Sequence, residues 1–332
     1  MTALWKKWTA TVPGPFLAAL LLGACFLGFV AWDQSHWWRA IADYSFGWLA
    51  PAFSAFVVYD RWPRIVAALR RCADPASPRA TGWPGRLLAA GFYATLAGGG
   101  GLFLLGALYR AGNDASYPGT LAITFGAGLL ALATLFLSAP EPAGPPTACP
   151  PLADARVRLV GLFVFPALVW LVSAPMVSLI ENNLTHFLLA RVTNTVFFAF
   201  DTLGIAIQKT GNVLQLPPFH GKPNEVGVEQ ACSGIRSFTA CLFAGSFLAA
   251  VFLEKLWKKA LLVSMAVVLA FCTNILRGLF LTAWAYNYGS DAMEHQVHDL
   301  AGYGVLGLTV VGLLCLLPLL NLKISFGRRA TG

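Results

Sequence analysis

Long apolar runs, separated by short stretches rich in arginine, proline and glycine, make up most of the chain. Eight of them cover about 15–32, 41–59, 87–109, 119–138, 157–180, 234–253, 260–286 and 300–320. About 20 consecutive apolar residues are needed to cross a hydrocarbon layer as a helix. Backbone polar groups there must be satisfied within the segment, which favours helices. The pattern therefore predicts an all-α polytopic membrane protein with about eight transmembrane helices. Pro166 and Pro175 are expected kinks in the fifth span. Gly98-Gly99-Gly100-Gly101 in the third lacks the Lys and Ser/Thr of a phosphate loop and reads as a place of close helix packing. The six prolines of 139–151 read as a surface linker.

One long stretch, 181–228, does not fit the pattern. Its first part, 184–207, is apolar but interrupted by His186, Arg191, Asn194 and Asp201. It reads as a helix in or near the outer interface, or partly buried among the spans. Two alternating pieces follow, 213–216 and 226–229, with turn chemistry at 217–223 between them. A small extracytoplasmic hairpin is predicted there, leading into Cys232.

Of the 332 residues, 57% are hydrophobic and only 11% charged, against about 25% charged in soluble domains. The chain is expected to form one integral membrane domain over 1–332, with N-terminal spans in 1–156 and the spans holding the chemistry in 157–322. The net charge of +8 does not indicate nucleic acid, because the basic residues bracket apolar segments instead of forming a stripe. With a cytoplasmic N-terminus, inner segments would hold Lys6, Lys7, Arg61, Arg64, Arg70, Arg71, Arg79, Arg86, Arg156, Arg158, Lys255, Lys258, Lys259, Lys323, Arg328 and Arg329. Outer segments would hold only Arg39, Arg110, Arg191, Lys209 and Lys222. That bias predicts both termini inside, in a cytoplasmic (inner) membrane. A ninth span over 184–207 would put the Lys255/Lys258/Lys259 cluster outside and is rejected. Leu22-Gly23-Ala24-Cys25 looks like a lipoprotein cleavage box, but the apolar run continues to Val30, so a retained span is expected. The seven cysteines are scattered without metal or disulfide spacing, and neither a metal site nor a cofactor is predicted.

Candidate chemistry begins in Glu229-Gln230-Ala231-Cys232-Ser233-Gly234-Ile235-Arg236-Ser237. At a helix N-terminus Cys232 would feel the positive end of the helix dipole, which favours the thiolate. Arg236, four residues on, would add a second positive charge. On these nine residues alone, nucleophile and simple packing residue remain equally open. Arg277 lies nine residues before Tyr286, roughly 13 Å into its span. An arginine at depth costs about 2.5–3.5 kcal/mol on insertion scales and usually faces a polar interior. Asn274, three residues earlier, would share its face and could hold the guanidinium by a hydrogen bond. Span eight then enters at Glu294-His295-Gln296-Val297-His298-Asp299, and position alone does not choose between the two histidines. Gly302 would let a neighbour approach beneath His298. A thiol, a guanidinium and an imidazole thus reach one depth: nucleophile, oxyanion stabiliser and acid–base group.

Three blocks in order resemble the exosortase/archaeosortase family of membrane transpeptidases: Ala231-Cys232-Ser233-Gly234-Ile235-Arg236-Ser237, Asn274-Ile275-Leu276-Arg277 and His298-Asp299-Leu300-Ala301-Gly302. Asp43–Leu49 resembles the family's early aromatic-Gly-Leu stretch more weakly. The resemblance implies Cys232 as nucleophile with Arg277 and His298 as the other catalytic residues. Glu229, Arg236, Asn274 and Gly302 would be supporting residues. It also implies secreted protein substrates ending in a sorting motif (Pro-Glu-Pro in the best-known case), a membrane span and a basic tail. The substrate would be held as a thioester and passed to a lipid or glycan acceptor, or to water, on the extracytoplasmic face. A reading from another class is a non-enzymatic transporter or export scaffold for envelope polysaccharide. In that reading Arg277 and the histidines line a pathway and Cys232 is dispensable.

Overall fold

A computed structural model describes residues 12–142, 144–145, 147–176, 178–227, 235–293 and 296–321; for 42, 43, 178, 179, 235–237, 293, 296, 298 and 299 it describes the backbone only. The chain forms two compact units, Met1–Ser178 and Leu179–Gly332. Among the described residues, six helices are long and apolar enough to cross a membrane, and Phe238–Phe252 is a shorter apolar helical stretch.

The first unit runs through α1 (Gly14–Ala40), a 3-10 helix (Ala42–Leu49), α2 (Ala50–Asp60), α3 (Trp62–Ala73), β1 (Pro78–Arg79), α4 (Gly82–Asn113), α5 (Tyr117–Leu137), β2 (Thr147–Ala148), a 3-10 turn (Pro151–Ala153) and α6 (Ala155–Ser173). Where the sequence predicts a second continuous span, the structure has a 3-10 helix and then an 11-residue α-helix. Pro51 stands in the first turn of α2, where a missing N–H is harmless, but it gives nothing to a helix arriving from upstream. At 1.5 Å per residue α2 reaches only about 16 Å, well short of a hydrocarbon layer about 30 Å thick. The fifth predicted span ends at Ser173, before Pro175.

Pro166 inside α6 cannot donate to the Leu162 carbonyl. Arg61 fills that vacancy, its Nη1 donating to Leu162 O at 2.7 Å. Ser54 Oγ donates to the Pro166 carbonyl at 3.1 Å. A second polar network joins α1, α5 and α6. Gln34, fully buried, donates through Nε2 to Thr124 Oγ1 (2.8 Å) and to Trp170 O (3.0 Å). Its Oε1 accepts from Ser173 Oγ at 2.8 Å. Beside it the buried carboxylate of Asp33 pairs with Arg110 Nε at 2.9 Å. Arg110, expected in an outer loop, belongs to the last turn of α4.

The glycine run reads correctly as packing, though only in part. A Cβ at Gly99 would lie 2.8 Å from Leu129 Cβ on α5, whereas one at Gly98 or Gly101 would meet nothing. The partner contact is tighter: a Cβ at Gly126 would stand 2.5 Å from the Phe103 backbone nitrogen. The proline linker is tied down. β2 pairs with β1 in parallel, and Arg79 donates to Pro140 O at 2.8 Å. Asp154 caps α6, accepting from the Arg156 amide at 2.9 Å and from the Ala80 amide at 3.1 Å.

The second unit contains α7 (Ser178–Thr202), β3 (Gln208–Thr210), β4 (Val213–Phe219), β5 (Lys222–Gly227), α8 (Ile235–Phe252), α9 (Leu256–Tyr288), a 3-10 turn (Ser290–Met293) and α10 (Gln296–Asn321). The interrupted stretch is the single helix α7. It buries Leu189, Val192, Val196 and Phe200 at helical spacing, in one cluster with Leu281 and Ala285 of α9 and with Leu214, Leu216 and Val226 of the sheet. The predicted hairpin is present as β4–β5, with β3 as an unpredicted third strand on its other side. His220 and Gly221 both have positive φ and link Phe219 to Lys222, the geometry of a two-residue type I′ turn.

Gly126→Ala should lower the apparent Tm in detergent, corresponding to about 1–3 kcal/mol of overpacking, while Gly98→Ala should leave it unchanged. Burial alone would raise the Asp154 carboxyl, but its hydrogen bonds to the Arg156 side chain and to the Arg156 and Ala80 amides outweigh that and hold it below the usual carboxylate range. A depressed carboxyl contributes stability above its unfolded pKa of about 4 that is lost as pH falls through the folded value. Lowering the pH from neutral should therefore destabilise the wild type more than Asp154→Asn in thermal unfolding.

Candidate active site

The second unit carries all three predicted chemical blocks, so the site is built from α8, α9, α10 and the sheet. α9 and α10 are joined by a short turn and pack along their length. Thr273 Oγ1 and Thr309 Oγ1 share a hydrogen bond of 3.0 Å across the pair. On α9, Asn274 is buried at 3% exposure, and Arg277 follows on the same face. Gly278 turns toward α7, where a Cβ would meet Val196 and Val192 at 3.0 and 3.2 Å.

Arg277 lies against α10. A Cβ at Gly302 would be 3.6 Å from Arg277 Nη2 and 3.8 Å from Cζ. The bare backbone at Gly302 thus receives the guanidinium. His298 belongs to the same helix one turn earlier. Its side chain lies outside the described residues, as do His295 and the side chain of Arg236.

α8 packs against α9 in a defined register. A Cβ at Gly245 would lie 2.6 Å from Ala266 Cβ, and Ala249 packs in one cluster with Leu262. Both pairs give the same antiparallel register. It brings Ile235, the first residue of α8, about level with Leu276 of α9 (one residue from Arg277). Cys232 precedes Ile235 by three residues in the sequence. Cys232 and Glu229 themselves fall in 228–234, outside the described residues.

The lead-in to that segment is anchored. β5 ends at Gly227, and Asn224, with 3% exposure, fixes it to the end of α9. Its Nδ2 donates to Ala285 O at 2.9 Å, and its Oδ1 accepts from the Ser290 amide at 3.0 Å. Phe219 packs over Gly289. Asn224 was not legible as a site residue in the sequence, where it sits unremarked after the turn prolines. Its inward position in the alternating strand becomes visible only once β5 is paired.

Asn274 departs from expectation. Its buried Oδ1 has no hydrogen-bond partner among the described residues, so the bond to the Arg277 guanidinium anticipated from their spacing is not made. Gly302 likewise serves Arg277, where a neighbour beneath the histidine was expected. His220 is exposed at the hairpin tip against Phe219. The described cysteines are all free thiols. Burial pushes Cys72 up to about 11, so it is a poor nucleophile near neutral pH.

Apolar helices long enough to span, a half-buried arginine seated on a neighbouring helix and a small sheet braced at one helix end define a multi-pass membrane protein. The family pattern of the transmembrane exosortases (Exosortase_EpsH) matches residues 37–315. The chain belongs to this family. No curated protein and no solved structure matches it.

Asn224→Ala should remove both anchoring hydrogen bonds, at about 1–3 kcal/mol for each buried group left unpaired. Amide hydrogen exchange should speed up at Ser290 and along β5, with little change in α8.

Proposed function

We propose that the chain is a membrane cysteine transpeptidase or protease whose site faces away from the cytosol. Its substrates are secreted proteins bearing a C-terminal sorting tail. The observation that carries the reading is the seat of Arg277 against Gly302, one turn from His298, within the span of a family whose members are generally transpeptidases. A guanidinium held against the face of a neighbouring helix is suited to stabilise negative charge that develops there.

In this reading Cys232 attacks the scissile carbonyl as a thiolate. The S–C bond forms, and the carbonyl π pair moves onto oxygen beside Arg277. Collapse re-forms the carbonyl and breaks the C–N bond, and protonated His298 supplies the proton that the leaving amine takes. The resulting thioester is then attacked by an acceptor hydroxyl or amine, or by water. His298 removes the acceptor's proton and the Cys232 sulfur is released. The buried, unpartnered Oδ1 of Asn274 is available to a backbone N–H of the substrate beside the cleavage point. Anchoring of β5 by Asn224 holds the polypeptide that delivers Cys232. A substrate keeping its own span in the bilayer presents its scissile bond at the membrane surface, which suits a nucleophile carried at the start of a membrane helix.

The test is a reporter protein with a sorting motif, a membrane span and a basic tail, expressed with wild-type enzyme or variants. Cys232→Ala should abolish processing while insertion and thermal stability stay normal. Arg277→Ala should slow processing by about 10²–10³-fold, the usual cost of removing one oxyanion donor. Reporter cleaved normally by the Cys232→Ala protein would overturn the reading and favour a transporter or scaffold. Mass spectrometry of an adduct trapped on Cys232 should show a peptide and not an acyl chain.

A further inference from the structure

A cavity of about 550 Å³ lies in the first unit, between α3, the start of α6 and the loop that carries Ser77 and Pro78. It falls in the range of about 300–1,000 Å³ usual for small-molecule sites. Arg64, Arg71 and Arg158 line it, with Asp74 as the acidic residue of the lining. Asp74 is partly engaged, its Oδ1 accepting from the Ala76 amide at 2.9 Å. The lining therefore carries a net positive charge near neutral pH.

Two independent features point to what fills it. Ser77 lines the cavity at 2% exposure, and its Oγ has no hydrogen-bond partner among the described residues. A buried hydroxyl without a partner is uncommon in a folded protein and indicates that something polar completes it. The second feature is α3. It buries Ile65, Leu69 and Cys72 on one side and leaves Arg64, Arg70 and Arg71 exposed on the other. A strongly amphipathic, arginine-bearing helix of this kind lies along a membrane surface. The remaining wall (Ala67, Ala68, Pro78, Ala155 and Leu162) is apolar.

We infer that this cavity binds the phosphodiester headgroup of an anionic membrane lipid: arginines and the Ser77 hydroxyl hold the phosphate, and the alanine–leucine wall meets the start of the acyl chains. Guanidinium groups match phosphate oxygens in paired geometry. The arginine-rich loop belongs to the side that the charge bias assigns to the cytosol, where the leaflet surface is negative and such side chains add attraction. A zwitterionic headgroup gains less, because its ammonium meets the same arginines.

The full-length protein, purified in neutral detergent, is titrated with phosphatidylglycerol, phosphatidylcholine or inorganic phosphate. Lipid retention is read by native mass spectrometry, and apparent Tm is read alongside. Phosphatidylglycerol should be retained and should raise Tm, with phosphatidylcholine clearly weaker. Arg71→Gln and Arg158→Gln, both at exposed side chains, should each weaken phosphatidylglycerol binding by roughly five-fold, the usual effect of one basic residue near an anionic surface. Asp74→Asn keeps the acceptor for the Ala76 amide but removes the negative charge, so it should tighten binding, which a purely structural role for the cavity would not produce. Equal retention of both lipids, or unchanged phosphatidylglycerol affinity in the arginine variants and in Asp74→Asn, would overturn the proposal. Stabilisation by inorganic phosphate without retained lipid would overturn the lipid assignment in favour of a soluble phosphate.

Discussion

An arginine within an apolar helix bundle has to be given a place, and the seat of Arg277 on Gly302 is how the second unit provides one. A guanidinium cannot be left among aliphatic side chains without a large desolvation penalty. Removing the side chain from the facing helix lets the charged group lie against backbone. The group is held against α10 at Gly302, one turn along that helix from His298. Around it, close packing of Gly278 on α7 and of Gly245 on Ala266 fixes how far the neighbouring helices stand from α9. The seat of the arginine and the tight packing are therefore one arrangement, with glycine used where backbone or a charged head must come near.

The same constraint shapes the first unit differently. Some of its buried polar groups satisfy one another inside the fold: Gln34 with Thr124, Trp170 and Ser173, and Arg61 with the carbonyl that Pro166 leaves unbonded. Asp33 has Arg110 beside it. Breaking a buried pair of that kind costs about 3–5 kcal/mol, so these residues specify the helix arrangement. At the arginine-rich face the pattern changes. Charges there line an open cavity around a hydroxyl that has no partner among the described residues.

The sheet and α7 show a division of labour between turn chemistry and packing. Pro217 and Pro218 interrupt the β4–β5 register, and the His220-Gly221 turn closes the hairpin. What holds the hairpin in place is Asn224, bonded to a helix end 61 residues away. β5 is thus stiff up to the residue where the Cys232 segment begins.

Spans, hairpin and chemical blocks were legible in the sequence because each is a local property. A run of apolar residues dictates a helix through hydropathy alone, and the cysteine, arginine and histidine blocks are patterns within a few residues of one another. The charge bias along the loops is likewise read by counting. Tertiary structure alone decided which distant groups share a place: Asp33 with Arg110, Asn224 with Ala285, and Arg277 with Gly302. It also decided that Asn274 does not hold Arg277 through its carbonyl oxygen, and that 41–59 breaks at Pro51. The reason is that hydropathy is summed residue by residue along the chain, whereas a buried polar group finds its partner only after helices far apart in sequence have packed.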